Sequence, residues 1–335
     1  MRKVIITGAC GFIGSNLVRR LLAAGDDVVG IDNLSRPGSE LNAAELAEHA
    51  RFRLLQIDVA DLSRTLDVFK EIGAVDAVFH LAAQVAVTTS YIDRVTDFQR
   101  NAVGAFNVIE AAWRHTPAAY CLYSSTNKVY GHLVVEQPVG LDYPLNPYTP
   151  YGVSKAVGEL YFTEFSRPPF NMATCCLRQS CIYGHHQFGV EDQGWVAWLG
   201  IANLLGRPIT IYGDGNQVRD LLFIDDLIDL YLEAWDKHLV GVFPVGGGKD
   251  NAISFKQGIA AIESSTGRRY AHVGTGPARH GDQPYFVADL AWTNEAGLAW
   301  RPKVPCAEGI ARMMDWLRRN LDSLRKIHED VRPKR

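Results

Sequence analysis

Residues 7–14 read T-G-A-C-G-F-I-G, and no other stretch of the chain constrains its fold as tightly. The apolar run K-V-I-I comes before it, and N-L-V-R-R-L-L-A-A-G, with helical spacing, comes after. Three glycines at a strand-to-helix turn have separate uses. Gly8 permits a tight turn, Gly11 lets the backbone approach a diphosphate, and Gly14 lets the helix pack closely on the strand. The helix start then offers free N–H groups and the positive end of its dipole. Such a unit is expected to open a dinucleotide-binding sheet.

The alternation continues downstream. D-V-V-G-I-D, F-R-L-L-Q-I-D, A-V-F-H-L-A-A and Y-C-L-Y-S-S read as further strands. Asp97 to Trp113 and Tyr151 to Phe165 read as helices. Strands alternating with helices imply a parallel sheet covered on both faces. The expected class is α/β: a doubly wound parallel Rossmann sheet with a smaller, interleaved C-terminal substrate-binding lobe. Residues 1–177 plus about 225–250 are assigned to the dinucleotide-binding domain, and about 178–224 plus 251–330 to the lobe. A helix over 225–237 and the strand V-F-P-V-G are expected to return to the main sheet. The last fifteen residues are highly charged and are expected to fray.

Composition enters mainly by exclusion. A net charge of −3 over 335 residues, without a basic patch, argues against a nucleic-acid or polybasic membrane partner. No uncharged run is long enough to span a bilayer. M-R-K-V-I-I reads as a first strand, because T-G-A-C-G breaks its apolar run at once. The six cysteines form no C-x-x-C pair and read as reduced thiols of a cytoplasmic protein. No metal site is expected.

Asp32 closes the second strand. A carboxylate there accepts hydrogen bonds from the adenosine ribose hydroxyls and repels a 2′-phosphate, so NAD is expected over NADP; a loop-capping aspartate would look the same. The candidate cofactor residues are Gly8, Gly11, Phe12, Ile13, Gly14, Asp32, Asn33, Asp58, Val59, Leu81, Ala82, Ala83, Gln84 and Asn101, with Tyr151 and Lys155. The small residues after the fourth strand would let a cofactor lie flat against the backbone.

Tyr151 and Lys155 are spaced Y-x-x-x-K at a helix start, so both side chains share one face. A phenol is too weak an acid to serve as a base at neutral pH. A neighbouring ammonium is expected to lower its pKa. Tyr151 would then take a proton from a sugar hydroxyl while the adjacent C–H gives up hydride. Thr126, or Ser125 beside it, would hold the substrate oxygen. An exposed i,i+4 pair would show the same spacing.

T-G-x-x-G-x-x-G, Asp32, S-S-T and Y-x-x-x-K together resemble the extended short-chain dehydrogenase/reductase superfamily, over nearly the whole chain. L-R-Q-S-C-I-Y-G at 177–184, Y-G-D-G-N-Q-V-R-D at 212–220 and R-H-G-D-Q from 279 resemble its nucleotide-sugar enzymes. That resemblance implies that Arg219 and Arg279 hold the diphosphate, which a guanidinium fork matches in shape and charge.

Finer matches are H-L-A-A-Q-V-A-V-T-T-S, S-S-T-N-K-V-Y-G, Q-F-G-V-E-D-Q-G-W-V-A-W and G-N-Q-V-R-D. They resemble the CDP-tyvelose (CDP-paratose) 2-epimerase family. The resemblance implies tightly bound, recycled NAD, transient oxidation to a keto-sugar, and hydride return on the opposite face. It places Gln84, Thr88, Thr89 and Ser90 near the sugar, and Gln187, Asp192, Gln193 and Trp195 at the nucleotide end. Ser125, Thr126, Asn127, Ser180 and Asp282 complete the candidate substrate set. It also implies a homodimer through a four-helix bundle, consistent with apolar residues spread around the Asp97–Trp113 helix.

Four other readings stay open, one of them a simple NAD-consuming dehydrogenase, which would accumulate NADH. The short loop between Tyr130 and Tyr151 is closer to that of NDP-hexose 4-epimerases of the UDP-glucose/UDP-galactose type. In NDP-sugar 4,6-dehydratases an Asp–Glu pair follows the catalytic threonine; here the pair is Asn127–Lys128. A non-catalytic NAD-binding module typically lacks the tyrosine or the lysine, and both stand here.

Overall fold

Val4 and Ile6 pack into one hydrophobic cluster and Ile5 into another, and all three are fully buried. A strand apolar on both faces belongs inside a parallel sheet with helices above and below. The computed structural model describes residues 1–133 and 136–330; Val134 and Val135 of the short loop, and residues 331–335, lie outside it.

The first half contains β1 (Lys3–Thr7), α1 (Phe12–Ala23), β2 (Asp27–Ile31), α2 (Ser39–Leu46), β3 (Phe52–Leu55), α3 (Leu62–Ile72), β4 (Ala77–His80), α4 (Val87–Ile92), α5 (Arg94–Phe98), α6 (Gly104–His115), β5 (Tyr120–Thr126) and α7 (Pro150–Phe165). The second half contains β6 (Thr174–Gln179), β7 (Cys181–Tyr183), α8 (Trp195–Leu205), β8 (Ile209–Tyr212), β9 (Val218–Phe223), α9 (Ile224–Asp236), β10 (Gly241–Val245), β11 (Ala252–Ser254), α10 (Phe255–Thr266), β12 (Val273–Gly276), β13 (Tyr285–Phe286), α11 (Trp292–Glu295), α12 (Cys306–Arg319) and α13 (Leu321–Asp330).

Seven strands form one parallel sheet in the order β3-β2-β1-β4-β5-β6-β10. The order reverses between β1 and β4. Outside the carboxyl ends of the strands at that point, such sheets leave a ligand crevice. As expected, α9 and β10 return here: α9 packs on α1, and β10 pairs with β6. A second sheet is centred on β9, which pairs with β7, β11 and β13. Only Ser180 separates β6 from β7, so the chain passes directly from one sheet to the other.

Local signals account for the helices that border the crevice. Thr149 caps α7 by accepting the Gly152 N–H, and Pro150 fits the first turn, where no N–H partner is needed. Tyr151 therefore sits at the mouth of α7. The helix expected over Asp97–Trp113 runs as α5 and α6 joined by a wider π turn at Gln99–Val103.

The charged tail departs from expectation. Its first ten residues form α13, with Leu324 and Ile327 buried on one face. Trp198 lies against the buried His328 ring, whose backbone oxygen accepts from Arg207. An apolar stripe under the charges holds that segment down. Among the described residues no helix is long and apolar enough to cross a membrane.

Candidate active site

A cavity of ≈ 320 Å³ lies over the β1–α1 turn. Gly8, Gly11, Phe12, Ile13 and Gly14 line it from the turn, Asp32 and Asn33 from the end of β2, and Asp58 and Val59 from beyond β3. Leu81, Ala82, Ala83 and Gln84 close it beyond β4. The glycines are sterically required. Gly8 has φ +71°, and a Cβ there would sit 2.7 Å from the Ala82 nitrogen. A Cβ on Gly14 would lie 2.0 Å from the Gly8 carbonyl oxygen. Asp32 is fixed by the N–H groups of Cys10 (2.9 Å) and Leu34 (2.8 Å). Burial raises its pKa, and those donors oppose the shift. A cradle of backbone beside a held carboxylate fits a dinucleotide: diphosphate over the turn, ribose on Asp32.

A second cavity of ≈ 210 Å³ adjoins the smaller sheet. Thr88, Asn127, Arg219, Arg279 and Asp282 line it, as do Asp192, Gln193 and Trp195. Gln193 borders both cavities. Arg219 donates to Asp282 at 2.6 Å. Arg279 lies 3.9 Å from the centre of the Tyr212 ring and 3.4 Å from Asp192.

Thr126, Tyr151 and Lys155 are all buried, and none lines either cavity. Their immediate neighbours do: Asn127 follows Thr126 into the second cavity, and Thr89 of the first precedes Ser90, which accepts the Tyr151 N–H at 3.1 Å. Burial pushes the Tyr151 phenol up to about 12, against the pull of its hydrogen bond with Thr126. Burial also brings Lys155 down to about 7, opposed by Cys176, Asp97 and Glu159. The Lys155 ammonium lies 4.2 Å from the centre of the Tyr123 ring. The expected lowering of the Tyr151 pKa by Lys155 is therefore not found here; removing both groups from water dominates.

Several other expected residues face elsewhere. Ser125 donates to Glu159 of α7 at 2.7 Å, two helical turns beyond Tyr151, where Arg178 completes a buried ion pair. Ser180 donates to Asp220, whose carboxyl burial raises to about 7. Gln187 lines the dinucleotide cavity rather than the second one. Asn101 sits in the π turn behind the cavity, bonded to both backbone polar groups of Gln84, to Asp97 and to Ser154. The Gln84 side chain, though it borders the cavity, bonds inward to Ala86 and Asp97. Asp97 is the hub of this network, also accepting from Ser154 at 2.6 Å. Nothing in its sequence neighbourhood marks it. Lys128, two residues beyond the end of β5, also enters the second cavity; its visible signal was its place in the Asn127–Lys128 pair after the threonine.

A family model described as the NAD dependent epimerase/dehydratase family matches residues 4–246. The chain belongs to that family. NAD is accordingly its cofactor, and the cradle around Gly8, Gly14 and Asp32 suits it. The chain is 36% identical to the CDP-paratose 2-epimerase of Salmonella typhi, over 94% of this chain and 98% of the relative. It is 34% identical to the UDP-glucose 4-epimerase of Mycolicibacterium smegmatis, again over 94% and 98%. Among solved structures, the UDP-glucose 4-epimerase of Thermus thermophilus in complex with NAD superposes with a TM-score of 0.85 at 30% identity, covering 94% of this chain and 99% of that one.

Proposed function

We propose that this epimerase-family protein inverts C2 of a nucleotide diphosphate sugar, with a CDP-linked deoxyhexose of the paratose/tyvelose kind as its substrate. The reading is carried by the buried Thr126–Tyr151 pair, followed at 127 and 128 by an amide and an ammonium. Bound NAD supplies the chemistry of taking hydride from a sugar carbon and giving it back. Thr126 holds the reacting oxygen, and Tyr151, once the positive charge of bound NAD offsets burial and favours its phenolate, takes the proton and later returns it. Lys155, buried one helical turn from Tyr151, sets the charge around them. The Asn127 side-chain amide donates to Gln283 at 3.1 Å, and the Gln283 amide donates to the Asn127 backbone carbonyl at 3.1 Å. The Asn127 amide has no proton to exchange, which disfavours elimination of water. On this reading Arg219 and Arg279 receive the diphosphate and Asp192, Gln193 and Trp195 border the nucleotide, which their shared cavity supports. The likeness to a CDP-paratose 2-epimerase supports the carbon and the base.

The competing reading is inversion at C4, favoured by the short loop before Tyr151 and the likeness to a UDP-glucose 4-epimerase. One experiment separates the two. The protein is incubated with CDP-, UDP-, GDP- and ADP-hexoses in deuterated water, without added NAD, and the products are read by NMR. Inversion at C2 of a CDP-sugar with its C–H hydrogen retained is expected, and Tyr151→Phe should lose it. Inversion at C4 alone would replace this reading with the second. Loss of water from the product would replace both with dehydration.

Six unpaired cysteines support a reducing, cytoplasmic setting. We also propose a homodimer, built from the outer faces of α5–α6 and α7 of each copy.

A further inference from the structure

We propose that Lys128 binds the sugar-side phosphate of the substrate, gripping it together with Arg219 beside the Asp282 carboxylate they share. The proposal rests on the nucleotide-sugar reading and adds a residue to it. The Lys128 backbone N–H donates to the Thr126 hydroxyl at 3.3 Å, which ties the residue to the reacting end of the site. Its side chain enters the second cavity, where Nζ donates to the Gly281 carbonyl at 3.2 Å and lies 3.5 Å from Asp282 Oδ1. Arg219 Nη2 reaches the same oxygen at 2.6 Å.

Two cations thus converge on one carboxylate oxygen, while the cavity's other two carboxylates, Glu191 and Asp192, lie with Arg279, so positive charge is in local excess at Lys128 and Arg219. All three groups are largely enclosed: the Lys128 side chain is 16% exposed, that of Arg219 8% and that of Asp282 33%. A surplus charge in such a place is costly unless an anion meets it. A sugar hydroxyl could accept one hydrogen bond from Lys128 but would leave the charge unmatched. A phosphate matches it, and lysine binds phosphate as a point charge. Lys128 stands between Thr126, which faces the reacting oxygen, and Arg219, which faces the diphosphate. The phosphate within its reach is therefore the one next to the sugar. Burial and Arg219 lower Lys128 to about 8, with Asp282 opposing, so the ammonium is still mostly charged at neutral pH.

The test compares diphosphate with monophosphate. Binding of CDP and CMP, and of UDP and UMP, is measured by calorimetry on the NAD-loaded protein. Lys128→Met is expected to weaken CDP or UDP at least tenfold and the matching monophosphate less than twofold, with Lys128→Arg recovering most of the loss. Unchanged diphosphate binding would overturn the proposal, leaving Lys128 to the sugar or to tethering Gly281. An equal loss on both nucleotides would also overturn it. If the unaltered protein binds no nucleotide of the panel, the nucleotide-sugar reading fails and this proposal with it. Should Lys128→Met lose NAD or its cooperative melt, Asp282→Asn tests the same idea. Freed from the competing carboxylate, the two cations should favour diphosphate over monophosphate severalfold more than before. An unchanged or smaller preference would overturn the proposal.

Discussion

Burial moves the two groups of the Y-x-x-x-K pair in opposite directions, Tyr151 to about 12 and Lys155 to about 7. For Lys155 this has a consequence for stability. An unfolded lysine titrates near 10.4. Between about pH 7 and 10.4 the unfolded chain therefore holds the proton that the folded chain has lost. Stability from this group rises with pH across that window, and the full cost of burying the charge is felt below pH 7. Lys128, lowered to about 8, adds a slope of the same sign from about 8 upward. Replacing Lys155 by methionine removes the charge but keeps an unbranched side chain under the Tyr123 ring. The expected outcome is an inactive protein that melts several degrees higher than the parent at pH 6, on the order of 2–4 kcal/mol more stable, less what the lost contacts contributed. The gain should shrink towards pH 10. Thermal melts of both proteins at the two pH values check this, and a variant that melts lower at pH 6 contradicts it.

At the scale of elements, the β1–α1 turn is where a single methyl group matters most. Gly14 lies in the first turn of α1, and a Cβ there would stand 2.0 Å from the Gly8 carbonyl oxygen. That neighbour is backbone and cannot rotate away, so Gly14→Ala must push α1 away from the β1–α1 turn. A loss of at least about 3 kcal/mol is expected, together with loss of bound NAD. Denaturant melts and the absorbance of extracted cofactor would show it. This turn was legible because its constraint is local: three glycines, the strand before them and the helix after them are contiguous in the chain. Thr126 was legible on the same ground, but Ser125 was not separated from it. Both partners lie on α7: Ser125 donates to Glu159, two turns beyond the Tyr151 that pairs with Thr126, and only the folded helix shows which hydroxyl meets which. Ser180 could not have been read either. Its partner Asp220 comes from a strand of the second sheet, and only the folded chain brings them together. The π turn that carries Asn101 likewise has no marker in Q-R-N-A-V.

At the scale of the whole molecule, α7 carries candidate catalytic residues on one face and exposed apolar ones on the other. Its inner face carries Tyr151, Ser154, Lys155 and Glu159 against the sheet, all buried. Its outer face carries Val153, Leu160 and Tyr161, all exposed, with Val157 half-buried between them. Beside it, Ile92, Val95 and Phe98 around α5 are 85%, 68% and 49% exposed, and Phe106 of α6 meets Tyr161 at a tilt with ring centres 4.9 Å apart. Isolated apolar residues on a surface need no explanation, but contiguous ones across adjacent helices mark an interaction site. Most of the apolar residues of the Asp97–Trp113 helix are turned inward. Ala102, Ala105, Val108, Ile109 and Ala112 are buried in the protomer's own core, and the outer patch comes instead from the start of that helix and from α7. A second copy presenting the same patch would bury both, giving a four-helix seam with two-fold symmetry. Two charges placed on that seam, Val95→Glu with Leu160→Glu, oppose their own copies across the two-fold and should split it. Sedimentation velocity at micromolar concentration is expected to show a dimer for the parent and a monomer for the double variant. Because Asp97 on α5 bonds to Ser154 on α7, the monomer should also turn over more slowly as that packing loosens. A parent that sediments as a monomer, or a double variant that stays dimeric, would remove the seam from the assembly.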